Sequence, residues 1–173
     1  SFGRILSVNR NPKKDIFALV NHKHELSLLN IKSDKIELID RSKHSFVTSN
    51  WSPCGRYIAY SCSLTPRCNI IRIYDTSNKT IHNITDGIND DFSPIFDPTG
   101  NYLAFISKRT FKPIYDSLQF DLGFPKSEKP YLIALNKNVN SPFIKDPNKI
   151  KKESKNKKNK KTTTDKTKID FKN

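Results

Sequence analysis

Two ten-residue stretches of this chain are one unit written twice. Trp51-Ser52-Pro53-Cys54-Gly55-Arg56-Tyr57-Ile58-Ala59-Tyr60 and Phe96-Asp97-Pro98-Thr99-Gly100-Asn101-Tyr102-Leu103-Ala104-Phe105 share one pattern: aromatic, short polar, Pro, any residue, Gly, polar, Tyr, aliphatic, Ala, aromatic. A degenerate earlier copy runs Asn11-Pro12-Lys13-Lys14-Asp15-Ile16-Phe17-Ala18-Leu19, and aligning Ala18, Ala59 and Ala104 gives steps of 41 and 45 residues. Periods of 40–50 residues with strand-like content point to the blades of a β-propeller.

The physics of the unit supports that fold. Pro arrives with its φ already set for a tight turn, and the following Gly tolerates positive φ. The apolar runs Tyr57-Ile58-Ala59-Tyr60 and Tyr102-Leu103-Ala104-Phe105-Ile106 suit strands buried between neighbouring blades, with the small Ala where adjacent sheets approach closely. Third strands are expected at Glu25–Ile31, Asn69–Tyr74 and Pro130–Leu135, and short fourth strands at Lys35–Ile39 and Thr80–Ile84. No helical pattern is found in residues 1–107. The expected class is all-β: about three four-stranded antiparallel blades over residues 1–144, then a Lys-rich flexible linker over residues 145–173. Trp51 and Phe96 are expected at equivalent inner positions, as are Ala59 and Ala104. Three blades make an incomplete ring, since propellers have four to eight. The chain also begins at Ser1 and contains no Met, so a longer parent protein is expected.

Charge matters by location. Lys and Arg number 31 against 17 Asp and Glu, a net charge of +14. Residues 145–173 hold 12 Lys and 4 acids, whereas residues 1–144 hold 19 basic and 13 acidic residues. The body is mildly basic and the tail is a separate lysine run. Lys145 to Lys168 contains no aromatic side chain on which a base would stack, so a solvated, disordered tail is favoured over a polyanion contact.

The pattern breaks between strands two and three of the last blade. There an insertion, Lys108 to Lys129, carries Phe111, Tyr115, Phe120 and Phe124. A long loop is usually functional or disordered, and this aromatic content argues against disorder. The insertion is expected to pack over its blade or against a neighbouring domain, and its four aromatic residues are the candidate substrate-path or interdomain contacts.

The same region carries a specific resemblance. Asp91-Phe92-Ser93-Pro94-Ile95-Phe96-Asp97-Pro98-Thr99-Gly100-Asn101-Tyr102-Leu103-Ala104-Phe105 is followed by Arg109, Phe111, Pro113, Tyr115 and Asp116, then by Gln119-Phe120-Asp121-Leu122-Gly123-Phe124-Pro125, Pro130-Tyr131-Leu132 and Ser141-Pro142-Phe143. This set resembles the end of the second propeller of the tricorn protease family, closely over residues 91–143 and loosely over 45–90. Lys168-Ile169-Asp170-Phe171 resembles the strand that leads into that family's catalytic half. The long Lys/Asn/Thr tail departs from the family. The resemblance implies a cytoplasmic serine peptidase parent that trims peptides and assembles as a homo-oligomer. It implies partners in the remaining blades and in downstream PDZ-like and protease domains. It also implies a non-catalytic role for the propeller in controlling substrate access. The family's nucleophile, base and supporting acids fall beyond residue 173, so no catalytic residue carries over to this chain.

Direct chemistry is not expected here. His22, His24, His44 and His82 are scattered; His22 and His24 would share one strand face, but no third metal ligand is identifiable. No nucleophile motif accompanies the Ser, His and Asp residues. Asp86, Asp90 and Asp91 lack calcium-loop spacing and read as turn-capping residues. Cys54, Cys62 and Cys68 are too few for a disulfide framework, although Cys62 and Cys68 flank a turn; reduced thiols are favoured. Asn78-Lys79-Thr80 and Asn83-Ile84-Thr85 match glycosylation acceptors, a pattern common by chance. No cofactor or metal is expected, and no apolar run approaches the length of a membrane span. Two other functions compete with the protease segment: a TolB- or WD-type interaction propeller without a peptidase partner, and, less favoured, a basic nucleic-acid scaffold.

Overall fold

The computed structural model describes residues 2–44, 46–144 and 167–171. The described elements are strands, and they fall into consecutive antiparallel sheets. The first sheet is β1 (Ile5–Arg10), β2 (Ile16–Asn21), β3 (Glu25–Asn30) and β4 (Lys35–Arg41), paired in that order. The second is β5 (Phe46–Trp51), β6 (Tyr57–Thr65), β7 (Cys68–Asp75) and β8 (Thr80–Asn83). The third begins with β9 (Asp90–Phe96) and β10 (Tyr102–Lys108). After the hairpin β11 (Ile114–Asp116) and β12 (Asp121–Gly123), it resumes with β13 (Glu128–Ala134) on the far side of β10. The blades are therefore present in the expected order. The third has three strands among the described residues, where four were expected.

Each blade turns from its first strand to its second through the repeated Pro motif, and the residue before Pro does similar work in each. Asn11 Oδ1 accepts from the amides of Lys13 (2.8 Å) and Lys14 (3.0 Å), Ser52 Oγ accepts from the Tyr57 amide (3.0 Å), and Asp97 Oδ1 accepts from the Tyr102 amide (2.7 Å). Short acceptors at this place satisfy turn amides that have no ladder partner. Gly55 and Gly100 both sit at φ 71°, where a side chain would be strained. Their amides return to the carbonyls of Ser52 (2.8 Å) and Asp97 (2.9 Å).

The core lies in the two seams between sheets. In the first, Ala18, Val20, Leu26 and Leu28 meet Trp51, Ile58, Tyr60 and Tyr74. In the second, Tyr57, Ala59, Ile71 and Ile73 meet Phe96, Leu103, Phe105 and Leu135. Period-two alternation explains this: Ile58 and Tyr60 face backward while Tyr57 and Ala59 face forward, so the second sheet is buried on both faces. Trp51 and Phe96 occupy equivalent places, each an inner-strand ring buried against the preceding blade. Ala18 and Ala59 are fully buried where the next sheet approaches. Ala104 holds the same position in the third sheet but is only half-buried, because no described sheet follows it.

Polar groups stitch the seams as well. The Trp51 indole N–H donates to Asn9 O (3.0 Å), Asn9 Nδ2 donates to Ser49 O (2.7 Å), and the Phe96 amide donates to Asn50 Oδ1 (3.0 Å). Asp40, at the end of β4, accepts from the Tyr60 hydroxyl (2.6 Å) and pairs with Arg72 (2.9 Å) across the first seam.

Some expectations change. His22 and His24 lie in the turn between β2 and β3, not along a strand, so strand alternation does not align them; His24 has φ 61°. Cys62 is paired with Ile70 and Cys68 with Thr65, so the two thiols are not opposed, and all three cysteines are free. Residues 145–166 lie outside the described residues, and so does the linker expectation over them. Residues 167–171, at the end of the range expected as linker, lie on the sheets, where Lys168–Phe171 resembles a strand; Ile169 and Phe171 pack against the second seam.

Candidate functional site

The insertion after β10 projects from the third blade as a two-stranded hairpin. Ile114 pairs with Gly123, Tyr115 with Leu122 and Asp116 with Asp121, and neither strand joins a blade sheet. Asp116 Oδ1 accepts the amides of Leu118 (2.8 Å) and Gln119 (3.3 Å), which closes the tip, and Phe120 takes φ 53°. The four candidate residues do not pack over the blade as expected. Phe111 is 80% exposed, Phe120 79%, Tyr115 59% and Phe124 41%. Phe111 and Phe124 rest on each other across the hairpin's base, with ring centroids 4.8 Å apart. The reason is geometric: β10 and β13 already pair without a break from Tyr102–Ala134 to Lys108–Glu128, so the sheet has no opening for the inserted strands.

The root of the hairpin is held firmly. Lys108 Nζ pairs with Asp90 (3.0 Å) and Glu128 (3.6 Å) and lies over the Phe92 ring at 5.3 Å. The hydrogen bond to Asp90 is the main reason its ammonium titrates above the ordinary lysine range. Arg109 stacks over Tyr131 at 4.5 Å, donates Nε–H to Ser107 Oγ (2.8 Å) and faces Asp91 at 3.5 Å. Asp91 is fully buried, and its second carboxylate oxygen has no partner among the described residues. Asp90 and Asp91 are thus ion-pair residues, whereas Asp86 caps a turn as expected, accepting the Ile88 amide at 3.1 Å. Sequence reasoning passed over Lys108 and the Asp91–Arg109 pair as a root, because a charge beside a loop looks the same whether solvated or paired.

A second feature lies at the outer side of the second seam. Phe171 lies flat on His82, with centroids 3.7 Å apart and planes 11° apart, and meets Tyr57 edge-on at 6.1 Å. The Asp170 amide donates to Leu135 O (2.9 Å). Beside it, burial would raise the Cys54 thiol, but hydrogen bonds from Ser52, the Arg56 amide and Thr167 outweigh this and leave it below the usual range. Among the described residues no group of three or more His, Cys, Asp or Glu side chains converges as a metal site would.

Three consecutive blades with this motif and insertion narrow the comparison to one family. The family profile described as the tricorn protease second beta propeller domain matches residues 1–173. The chain belongs to that tricorn protease family. Relatives include a tricorn protease homolog from Saccharolobus solfataricus, 35% identical over 143 residues, covering 82% of this chain and 13% of that protein. Another is a putative tricorn-like protease C-terminal subunit from Sulfurisphaera tokodaii, 34% identical over 142 residues, covering 82% and 16%. The chain therefore spans less than a fifth of the length of these relatives. Among solved structures, the crystal structure of the tricorn protease superposes with a TM-score of 0.76 at 22% identity, over 82% of this chain and 15% of that one. A putative TolB from Agrobacterium tumefaciens superposes with a TM-score of 0.54 at 19% identity, over 75% of this chain and 46% of that one. These likenesses bear out the propeller fold and make the chain a segment of the tricorn second propeller.

Proposed function

We propose that this tricorn propeller segment acts without chemistry of its own, controlling which peptides reach the catalytic chamber of a serine peptidase parent. The observation that carries the reading is the hairpin. Four aromatic side chains stand exposed on an element rooted by ion pairs and stacking, which suits an aperture wall or an interdomain contact. Gating needs a rigid rim, whereas catalysis needs groups within hydrogen-bonding reach of the reacting atoms. The parent would be cytoplasmic and homo-oligomeric, with the remaining blades and PDZ-like and protease domains completing it. The family match favours this reading over a free-standing TolB- or WD-type interaction module, since fold alone does not separate them.

The test uses the full-length parent with Phe120→Ala and Phe124→Ala. Turnover of small fluorogenic peptides is compared with turnover of long unfolded peptides, with assembly checked by sedimentation. Gating predicts a several-fold change in the ratio of the two rates. An equal loss on both substrates would overturn it.

A further inference from the structure

The Tyr74 ring is packed into the first seam, and the residue is only 4% exposed. Its hydroxyl nevertheless has no hydrogen-bond partner among the described residues. A buried phenol ordinarily finds one. The fold itself does not call for that hydroxyl. Tyr74 pairs with Ile58, just before Ala59; the same register position holds Leu29, opposite Phe17, in the first sheet and Ile133, opposite Leu103, in the third. An aliphatic side chain is enough for the blade at that place.

Tyr74 meets a cavity of ≈ 290 Å³ between the first two sheets, at the end where β3 turns into β4. Ile16 and Leu28 form its apolar floor. Its polar lining is rich in donors. Asn30 uses Oδ1 to accept the amides of Lys32 (3.0 Å) and Ser33 (3.4 Å), which leaves its Nδ2 hydrogens free. Lys14 and Lys35 line the same cavity, and neither ammonium has an ion-pair partner among the described residues. The nearby acids are already matched: Glu37, in the lining, pairs with Lys79 at 2.6 Å, and Asp15 pairs with Lys32 at 3.4 Å and Arg10 at 3.8 Å. Burial, and then the Glu37 charge, push the Tyr74 hydroxyl above the ordinary tyrosine range, so it stays a proton donor at neutral pH.

Two unmatched cations and neutral donors above an apolar floor suit an anionic head on an apolar stem. Charge-assisted hydrogen bonds hold such a head, and the floor reads the stem. We propose that this cavity is a binding site for a carboxylate carried on a short branched aliphatic stem, with Lys14, Lys35 and the Tyr74 hydroxyl on the carboxylate and Ile16 and Leu28 against the stem. The site does not involve the hairpin, so this inference stands apart from the access-control reading.

The experiment titrates the full 173-residue chain, isotope-labelled, with N-acetyl-leucine and follows backbone amide shifts by NMR at neutral pH and constant ionic strength. Three further probes separate the parts of the ligand: N-acetyl-leucine amide lacks the charge, N-acetylglycine lacks the stem, and inorganic phosphate is an anion without either. N-acetyl-leucine should bind at least fivefold more tightly than each of them, with shifts centred on Tyr74 and Asn30. Tyr74→Phe removes one unpartnered oxygen, and Lys14→Gln with Lys35→Gln alters exposed side chains. Both variants should keep the spectrum of the folded chain, and each should weaken N-acetyl-leucine at least threefold. Equal binding of the amide, of N-acetylglycine or of phosphate overturns the proposal. So does an unchanged affinity in Tyr74→Phe, or the lack of saturable binding by N-acetyl-leucine. Turnover by the parent enters none of these measurements, so the two readings fail separately.

Discussion

Asp40 and Arg72, 32 positions apart in the chain, meet at 2.9 Å across the first seam. Their side chains are only 13% and 22% exposed, and the Tyr60 hydroxyl joins the same carboxylate. Removing the carboxylate takes its hydrogen bond from both Arg72 and the Tyr60 hydroxyl at once, although Arg72 keeps Asn83 at 3.0 Å, and breaking such a pair costs about 3–5 kcal/mol when the site is buried. Asp40→Ala should therefore destabilise the chain by about 3 kcal/mol, near the low end of that range because the pair is not fully buried. Urea titration of the variant checks it, and a loss within 0.5 kcal/mol, the scale of an ordinary surface change, would mean the three groups are well solvated.

Acid should weaken the fold through a different set. Burial alone would raise the Asp75 carboxyl, but two hydrogen bonds from Arg56 (2.9 and 2.7 Å) and the amides of Ser77 and Asn78 hold it below the ordinary range. Asp97 is likewise lowered, its burial outweighed by Thr99 and by turn amides. Glu25 is lowered by Asn21 and then by Arg41. Carboxyls depressed by folding contribute stability that is fully present above their unfolded pKa of about 4 and is lost as pH falls through the lower folded values. Urea midpoints should be level from neutrality to about pH 5 and decline below about pH 4. Asp75→Asn should flatten that decline, while lowering stability at neutral pH.

The cysteines should separate by reactivity. Hydrogen bonding lowers the Cys54 thiol despite its burial, whereas burial raises Cys62. The thiolate is the nucleophile, so Cys54 should be alkylated well before Cys62 at neutral pH. Mass spectrometry of partially iodoacetamide-labelled protein reads the order, and earlier labelling of Cys62 would contradict it.

Proteolysis should find the hairpin. Lys126 follows exposed strands that no blade covers, whereas Arg72 is hydrogen-bonded within a seam. Limited trypsin digestion of the folded chain should cut after Lys126 well before Arg72. Protection of Lys126 would mean that another surface covers the hairpin.

The blades were legible because their signals are local. The Pro-x-Gly turn and the alternation of Tyr57 to Tyr60 are each set within a few residues, the unit recurs 41 residues on from Ala18 to Ala59, and the structure places them as expected. The hairpin was legible as an insertion but not in its direction. Phe111 and Phe120 are apolar enough to be read as packed, yet sequence does not say which molecule or domain would cover them. The seat of residues 167–171 was legible only in part. Lys168–Phe171 resembles a strand, but it follows a lysine run whose composition says nothing of where that strand docks. The positions that receive residues 167–171, Gly100 and His82, are distant in the chain, and nothing in either position announces the other.

The unbroken pairing of β10 with β13 has an evolutionary corollary. The third blade closes its ladder from Tyr102–Ala134 to Lys108–Glu128 whatever the chain does between. To the sheet, residues 109–127 are only a closure, and doubling such a closure costs about 0.6 kcal/mol in chain entropy. The hairpin is thus a cassette. Mutation can lengthen it, shorten it or repaint its tip with little effect on the seams, so the blade can hold its shape while the exposed tip drifts toward new specificities.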